Sequence, residues 1–115
     1  MPDNCIFCKI AAGEIPAKIV YQDEQLVVVE DINPQAPCHL LLIPRKHIRT
    51  TLDLTTADNA MIGHLFQVAG KVAHDQGIAE DGFRVVNNCN AAAGQTVWHI
   101  HFHLLGGRDL TWPPG

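Results

Sequence analysis

The stretch His99-Ile100-His101-Phe102-His103-Leu104 alternates imidazole and apolar side chains along the chain. Because successive side chains of a β-strand point to opposite faces, a strand here presents its histidines on one face and its apolar residues on the other. Burying several imidazoles is costly, since each loses hydration and they repel one another when protonated. The pattern therefore indicates a strand with a core-facing side and a row of histidines that serve a chemical purpose.

The segments around this stretch predict a five-stranded, mainly antiparallel sheet. Short β-rich runs bounded by turn residues predict strands over residues 19–21, 26–29, 40–43, 83–86 and 99–105. A length of 115 residues suits one domain, covering residues 1–115. Strands followed by a principal helix and further strands predict the α+β class.

Two helical segments accompany the predicted sheet. A stripe of apolar residues at helical spacing predicts a long helix over residues 56–76: Met61, Leu65, Val68 and Val72. Thr55 or Thr56 can cap its start, and Gly77 suits the left-handed position after its end. Residues 6–12 predict a short N-terminal helix or turn.

Composition and charge narrow the class of protein. Hydrophobic residues make up 47% and charged residues 17% of the chain, as in folded globular proteins. A formal net charge of −4 argues against binding to nucleic acid, although a mononucleotide needs only a few local donors. The N-terminus lacks the regions of a signal peptide, and no apolar stretch is long enough to span a membrane. We therefore expect a cytoplasmic protein with no membrane partner.

The histidine row allows two kinds of chemistry. Alternate histidines on a strand can bind a catalytic zinc ion, or one imidazole can attack phosphorus while its neighbours hold the oxygens. Gly94-Gln95-Thr96 precedes the row with a flexible backbone whose amides can approach a phosphate closely. No Asp or Glu lies between Asp81 and Asp109 to serve a zinc site as base. Phosphate chemistry is favoured.

Cys5-Ile6-Phe7-Cys8 forms a CxxC motif near the N-terminus. Four cysteines in a chain expected to stay in a reducing compartment suggest thiols or metal ligands rather than disulfides. The pair itself fits free thiols, a redox couple or half of a structural zinc site. The residues alone do not distinguish between these three possibilities.

The whole pattern resembles the histidine triad (HIT) family, and in particular its Hint branch. The histidine run matches the family signature, and further matching segments extend over nearly the whole chain. These are residues 6–7 and 9–10, 13–18, 31–32 and 34–37, 39, 43–47, 94–97, 105–108 and 112–115. The resemblance implies a HIT-like fold and a purine nucleoside phosphoramidase, which cleaves the P–N bond of adenosine or other purine nucleoside 5′-phosphoramidates.

The resemblance also implies residue roles. His101 would be the nucleophile that forms a nucleotidyl-histidine, and His39 would orient it through its other ring nitrogen. His103 and Thr96 would hold the phosphate or assist the leaving group, supported by backbone amides near Gln95 and Val97. Further residues would bind the base, the ribose or the phosphate: Ile6, Phe7, Ile10, Asp31 and Ile32, with Asn87 reaching the phosphate or ribose.

Metal and partner expectations follow from the same resemblance. A structural zinc ion would be held by Cys5, Cys8, His47 and His99, with no catalytic metal or organic cofactor. The partners would be a purine nucleoside monophosphate, its amine conjugates and a second copy of the chain. The dimer would extend the sheet, with residues 56–76 and 83–87 as contacts, and the tail at 110–115 would reach toward the partner's substrate site.

Three alternatives remain open. A dinucleoside polyphosphate hydrolase of the same family shares the triad, and an adaptor could bind nucleotides with only incidental hydrolysis. The third alternative is a zinc hydrolase that uses all three histidines, whose activity a chelator would abolish. Thr96 stands where many Hint relatives have serine, and Trp98 where relatives often have a smaller aromatic residue. Either difference could alter substrate preference.

Overall fold

The computed structural model describes residues 4–115. The expectation that the chain lacks an export signal rests partly on residues 1–3, which lie outside this range. The regular elements within it are α1 (Ile6–Ala11), β1 (Ile19–Gln22), β2 (Leu26–Glu30), β3 (Cys38–Pro44), α2 (Asn59–Asp75), β4 (Phe83–Val86) and β5 (Phe102–Gly106). Short 3-10 turns occupy Thr51–Asp53, Thr56–Asp58 and Ala91–Ala93.

The five strands form one sheet in the order β1-β2-β3-β5-β4, and every neighbouring pair is antiparallel. After β3 the chain forms α2 and then β4, which lies at one edge of the sheet. β5 follows and lies between β3 and β4. The predicted α+β class, with a five-stranded sheet, one long helix and a short N-terminal helix, is confirmed.

The sheet has two apolar faces that pack against different helices. Alternate strand residues face α2 and form the larger core, which includes Leu26, Val28, Leu40, Leu42, Phe102 and Leu104. The intervening residues form a second core with α1: Val27, Val29, Leu41 and Ile43 pack with Cys5, Phe7 and Cys8. β2 and β3 are therefore buried on both faces. The α1 face also carries His39 and His103, since they alternate with the α2-facing residues of β3 and β5.

The fifth strand is shorter than the sequence predicted. Regular strand structure begins at Phe102 rather than at residue 99, although Ile100 belongs to the same core as Phe102 and Leu104. The ladder between β3 and β5 runs from Cys38 to Leu42 and stops before Pro44, which has no amide hydrogen to donate. The backbone of Ile100 instead donates to the carbonyl of Ile48 at 2.6 Å. The side chains of residues 99–101 therefore still alternate between the two faces of the sheet, although these residues form no regular ladder with β3.

The long helix begins at Asn59 rather than at residue 56, because Thr56–Asp58 forms a 3-10 turn ahead of it. Thr55 caps that turn, and the Asp58 carboxylate accepts a hydrogen bond from the Thr55 amide at 2.9 Å. Gly77 follows the helix with φ of 76°, as the sequence predicted. Among residues 4–115, neither helix combines the length and the apolar character needed to cross a bilayer.

Candidate functional site

A groove beside β5 contains the second and third histidines of the row. The groove has a volume of about 620 Å³, and His101 and His103 form part of its wall. Such a volume lies within the range of sites for small molecules. His99 is fully buried and lies away from this groove, against Cys5, which precedes α1, and Cys8, which lies within it. The row therefore divides its histidines between two sites.

A main-chain carbonyl fixes the tautomer of His101. The Nδ1 atom lies 2.8 Å from the carbonyl oxygen of His99, and a carbonyl oxygen only accepts hydrogen bonds. Nδ1 therefore carries the proton, and Nε2 keeps its lone pair. Phe7 packs edge-on against the ring, with centroids 4.8 Å apart. These contacts orient an imidazole whose free nitrogen is available to attack an electrophile.

His39 orients His103, not His101 as the sequence analysis expected. The Nδ1 atom of His39 accepts a hydrogen bond from the Gln35 amide at 3.0 Å, so its Nε2 carries the proton. That Nε2 lies 2.9 Å from Nδ1 of His103, which therefore accepts and leaves the proton of His103 on Nε2. The cause is strand register: His39 pairs with Leu105, and His103 is its diagonal neighbour on the same face.

The groove histidines are held neutral. Burial lowers the pKa of His101 below 6.5, although the backbone bond to His99 and the charge of Asp31 oppose the shift. Burial, with repulsion from His101 and His39, lowers the pKa of His103 to about 4. Burial also lowers the pKa of His39. The Asp31 carboxylate, 3.3 Å from Nε2 of His39, partly offsets this shift. His39 and His103 are therefore both in the neutral form at neutral pH. The Asp31 carboxylate can stabilise an added proton on this pair.

The structure brings most of the expected nucleotide-binding residues to this groove. Six of them line it together with the two histidines and Thr96: Ile6, Phe7, Ile10, Asp31, Ile32 and Val97. Ile32 is fully exposed and Ile6 is half exposed, so both present apolar surface to a ligand. Val29 and Leu41 also line the groove and were not among the residues expected from the sequence. Their strand alternation, which places them opposite the α2-facing residues, could have identified them.

Two of the expected residues brace the site instead of lining the groove. The Asn87 amide donates to the carbonyl of His101 at 3.0 Å, and its side-chain oxygen accepts from the Thr51 hydroxyl. It therefore supports the histidine backbone, and its expected contact with phosphate or ribose stays a prediction. The backbone amide of Gln95 donates to the carbonyl of Asn90 at 3.1 Å and is not free for a phosphate.

The buried Gln95 side chain holds the loop that leads into β5. Nε2 of Gln95 donates to the backbone carbonyls of Arg49 and Val97 at 2.9 and 3.1 Å. Its Oε1 accepts from the backbone amide of Asn90 at 2.8 Å. All its hydrogen-bonding atoms are used within the protein, as burial requires. The residue thus fixes where Thr96 and Val97 meet the groove.

The second site joins the CxxC motif to two histidines. Cys5, Cys8, His47 and His99 could hold a metal ion, since one donor atom from each lies within 4.8 Å of the others. Nε2 of His99 lies 2.7 Å from the carbonyl of Pro44, so it carries the proton and Nδ1 faces the cysteines as a lone pair. Burial and the hydrogen bond with Cys5 raise the pKa of Cys8 to about 11, so a thiolate there needs a cation beside it.

The separations in this cluster are slightly shorter than those around a tetrahedral zinc ion, so small outward shifts of the ligands would accommodate one. Sγ of Cys5 lies 3.3 Å from Nδ1 of His99, Sγ of Cys8 lies 3.3 Å from Nδ1 of His47, and the two Nδ1 atoms are 3.1 Å apart. Tetrahedral zinc with its usual bond lengths separates its ligands by roughly 3.3–3.8 Å. The donor set and its geometry therefore fit zinc.

The three histidines of the row do not converge on one point. Nδ1 of His99 faces the cysteines, and Nδ1 of His101 is bound to a carbonyl. Asp31, His39 and His103 form a second group of possible metal ligands, but the ring nitrogens of that group already hydrogen-bond to each other. The arrangement does not support a zinc hydrolase built on all three histidines.

Comparison with known proteins places this geometry in a family. The family model described as HIT domain matches residues 12–110. The chain belongs to the HIT family. It is 48% identical over 110 residues to the purine nucleoside phosphoramidase of Escherichia coli, covering 96% of this chain and 92% of that protein. It is 50% identical to an uncharacterised HIT-like protein of Synechocystis over the full length of both chains.

A solved structure shows the same arrangement of elements. The HIT family hydrolase from Legionella pneumophila superposes with a TM-score of 0.96 at 52% identity, covering 97% of this chain and all of that chain. The HIT fold expected from the sequence is confirmed.

The tautomers of this HIT site can be measured directly. In side-chain ¹⁵N spectra of the unliganded protein at neutral pH, we expect His101 to be protonated on Nδ1 and His103 on Nε2. Because burial lowers both pKa values, the neutral forms should persist as the pH falls to 6.5, with protonation only below it. The imidazoles titrate as a coupled group, so the midpoints belong to the cluster. Protonation of His101 on Nε2, or a midpoint at or above 6.5, would contradict the assignment.

Proposed function

We propose that this chain hydrolyses the P–N bond of purine nucleoside 5′-phosphoramidates, with His101 as the nucleophile. The observation that carries the proposal is the 2.8 Å contact between Nδ1 of His101 and the carbonyl of His99, which leaves Nε2 as a free base in the groove. The similarity to the phosphoramidase of Escherichia coli supports the choice of substrate class. The route needs neither a catalytic metal nor an organic cofactor.

In the first step, Nε2 of His101 attacks phosphorus and the P–N bond breaks. A bound phosphoramidate is anionic and, together with Asp31, raises the pKa of the His39–His103 pair, which takes up one proton from solvent on Nδ1 of His103, on the side that faces the Asp31 carboxylate. His103 then passes its Nε2 proton to the leaving nitrogen, so a neutral amine departs. The carbonyl of His99 stabilises the positive charge on the nucleotidyl-histidine.

In the second step, water attacks phosphorus and gives its proton to Nε2 of His103. The P–Nε2 bond breaks, the nucleoside monophosphate is released, and His101 returns to its neutral tautomer. The two steps use one attacking imidazole and one imidazole that first donates and then accepts a proton. Splitting the displacement in this way avoids direct attack of a weakly nucleophilic water on the phosphoramidate.

The groove suggests how the nucleotide is held. The exposed apolar surface of Ile6 and Ile32, with Phe7 and Ile10 behind it, would enclose the purine. Asp31 would accept hydrogen bonds from the ribose hydroxyls. The Thr96 hydroxyl and the Val97 amide would contact the phosphate oxygens, where donors stabilise developing negative charge.

Removing the nucleophile should abolish turnover. We expect His101→Ala and His101→Asn to lower kcat for adenosine 5′-phosphoramidate by about a thousandfold or more, since the two-step route is lost. His74→Asn, on the exposed side of α2, is the matched control and should keep full activity. Nucleotide affinity and the circular dichroism spectrum should be unchanged in all three variants.

The test includes diadenosine polyphosphates as competing substrates. A His101 variant that keeps more than about a tenth of kcat, a loss under roughly 1.4 kcal/mol in barrier, would refute covalent catalysis. Faster turnover of the polyphosphates than of the phosphoramidate would favour the other hydrolase of this family, and binding without turnover would favour an adaptor.

We propose in addition that Cys5, Cys8, His47 and His99 bind a structural zinc ion. Bound there, zinc would hold two thiolates and link α1 to the segments before α2 and β5, which contribute His47 and His99. Because all four coordination positions are protein ligands, the ion would have no open position for substrate.

The zinc proposal predicts about one zinc per chain in protein purified without added metal. Cys5→Ser should lose the ion and lower Tm, while kcat of the folded fraction for adenosine 5′-phosphoramidate should change much less, since none of the four ligands lines the groove that contains His101 and His103. Cys38→Ser, in β3 and outside the cluster, is the control and should keep the zinc. Elemental analysis showing neither bound zinc nor uptake on titration would leave the CxxC motif as free thiols.

We also propose that the chain is one domain, residues 1–115, that acts in the cytoplasm as a homodimer. β4 is an edge strand, and edge strands pair readily with another chain unless they are covered. Phe66 on α2 and Phe83 on β4 are 51% and 38% exposed, which gives these elements apolar surface for a two-fold contact. Reduced thiols suit the cytoplasm.

The C-terminal tail is anchored to β4. The Arg84 guanidinium donates to the carbonyls of Leu110 and Thr111 at 3.2 and 3.0 Å, while Trp112 remains 81% exposed. An exposed tryptophan on a tail held at the dimer edge supports a role next to the partner's groove.

Truncation after Arg108 should therefore change selectivity between two phosphoramidates with different amines while sedimentation still shows a dimer. The full chain provides the reference ratio of kcat/KM values, because both proteins contain the same groove. A full-length monomer at micromolar concentration, or an unchanged ratio in the truncated form, would contradict this role.

A further inference from the structure

A second cavity, of about 370 Å³, opens beside the nucleotide groove. Ile6, Thr96 and Val97 line both cavities, so the two meet at the loop that leads into β5. Five residues line only the second one, and two of them are proposed zinc ligands: Asn4, Cys5, His47, Arg49 and Trp98. The proposed phosphate position lies at Thr96 and Val97, and His103 contacts the leaving nitrogen in the first groove. The substituent on that nitrogen can then extend past Thr96 and Val97 into the second cavity.

Arg49 supplies a positive charge there. Its guanidinium carbon lies 4.7 Å from the centre of the Trp98 ring, within the range of a cation–π contact. Its carbonyl accepts the hydrogen bond from Gln95, so its backbone is tied to the same loop. Within residues 4–115, the Arg49 side chain forms no ion pair with a carboxylate. An oriented guanidinium is thus available in a chain whose net charge is −4.

We propose that this cavity binds the leaving amine and selects amines that carry a carboxylate. The inference rests on the proposed phosphoramidase activity, since it names the substrate class of the same site. Arg49 would pair with the carboxylate, because the planar guanidinium matches its two oxygens. The apolar part of the amine would contact Ile6 and the exposed edge of Trp98.

The same guanidinium could also pair with a phosphate, as in a dinucleoside polyphosphate. A carboxylate is favoured because one guanidinium neutralises one carboxylate, whereas a polyphosphate brings several charges. The cavity is also at the small end of the range for ligand sites, which suits an amino-acid-sized group better than a second nucleotide.

The test compares kcat/KM for two adenosine 5′-phosphoramidates, one N-linked to glycine with its carboxylate free and one to glycinamide. We expect the wild-type protein to prefer the carboxylate by roughly fivefold, as an ion pair at a partly exposed site supports. Arg49→Gln should bring that ratio close to one, and Arg49→Lys should retain part of the preference. Lys71→Gln, which removes a positive charge from the exposed face of α2, is the control and should leave the ratio unchanged.

A second readout separates this inference from the activity itself. The Kd values of both compounds, measured by calorimetry with His101→Asn, should show the same carboxylate preference and its loss on adding Arg49→Gln. If neither compound is hydrolysed by the wild-type protein, the proposed function fails, while a preserved Kd ratio still supports the subsite. Equal carboxylate preferences in the wild type and in Arg49→Gln would overturn the proposed subsite. A larger effect of Arg49→Gln on a diadenosine polyphosphate than on the glycine compound would assign the anion as phosphate and also overturn it.

Discussion

The hydrogen bond from Nδ1 of His101 to the carbonyl of His99 determines which nitrogen of the central imidazole is available for chemistry. The same principle recurs around it: Nε2 of His99 donates to Pro44, and the Gln35 amide donates to Nδ1 of His39. In each case a main-chain group, whose position the fold fixes, sets the tautomer of a side chain. The free base of His101, the lone pair of His99 toward the cysteines and the N–H of His103 toward the groove all follow from these contacts.

The sheet makes those contacts possible by dividing its residues between two faces. Ile100, Phe102 and Leu104 pack with α2, so the histidines that alternate with them must face α1. A shift of one residue in the β3–β5 register would exchange the two faces, burying imidazoles against α2 and exposing the core. The apolar core on one side therefore secures the position of the site on the other. Burial in this layer also keeps the imidazoles neutral, which a nucleophilic nitrogen requires.

The elements and their faces could be predicted from sequence because they depend on local periodicity. The strands follow from short β-rich runs, β5 also from alternation, and α2 from helical spacing, whereas the grouping of Cys5, Cys8, His47 and His99 followed from a family resemblance. The partner of His39 could not be predicted, since it depends on the cross-strand register that makes His103 its diagonal neighbour. The bracing contacts of Asn87 depend likewise on loop geometry, which no periodic pattern encodes.

The most direct test of covalent catalysis is mass spectrometry of the enzyme quenched with base during turnover of adenosine 5′-phosphoramidate, because phosphorus–nitrogen adducts of histidine survive alkali better than acid. We expect a protein species heavier by one adenosine monophosphoryl group, located by peptide fragmentation on His101 and absent from His101→Asn. An adduct on His103 or on another residue would contradict the central claim. So would the complete absence of an adduct under single-turnover conditions in which product forms.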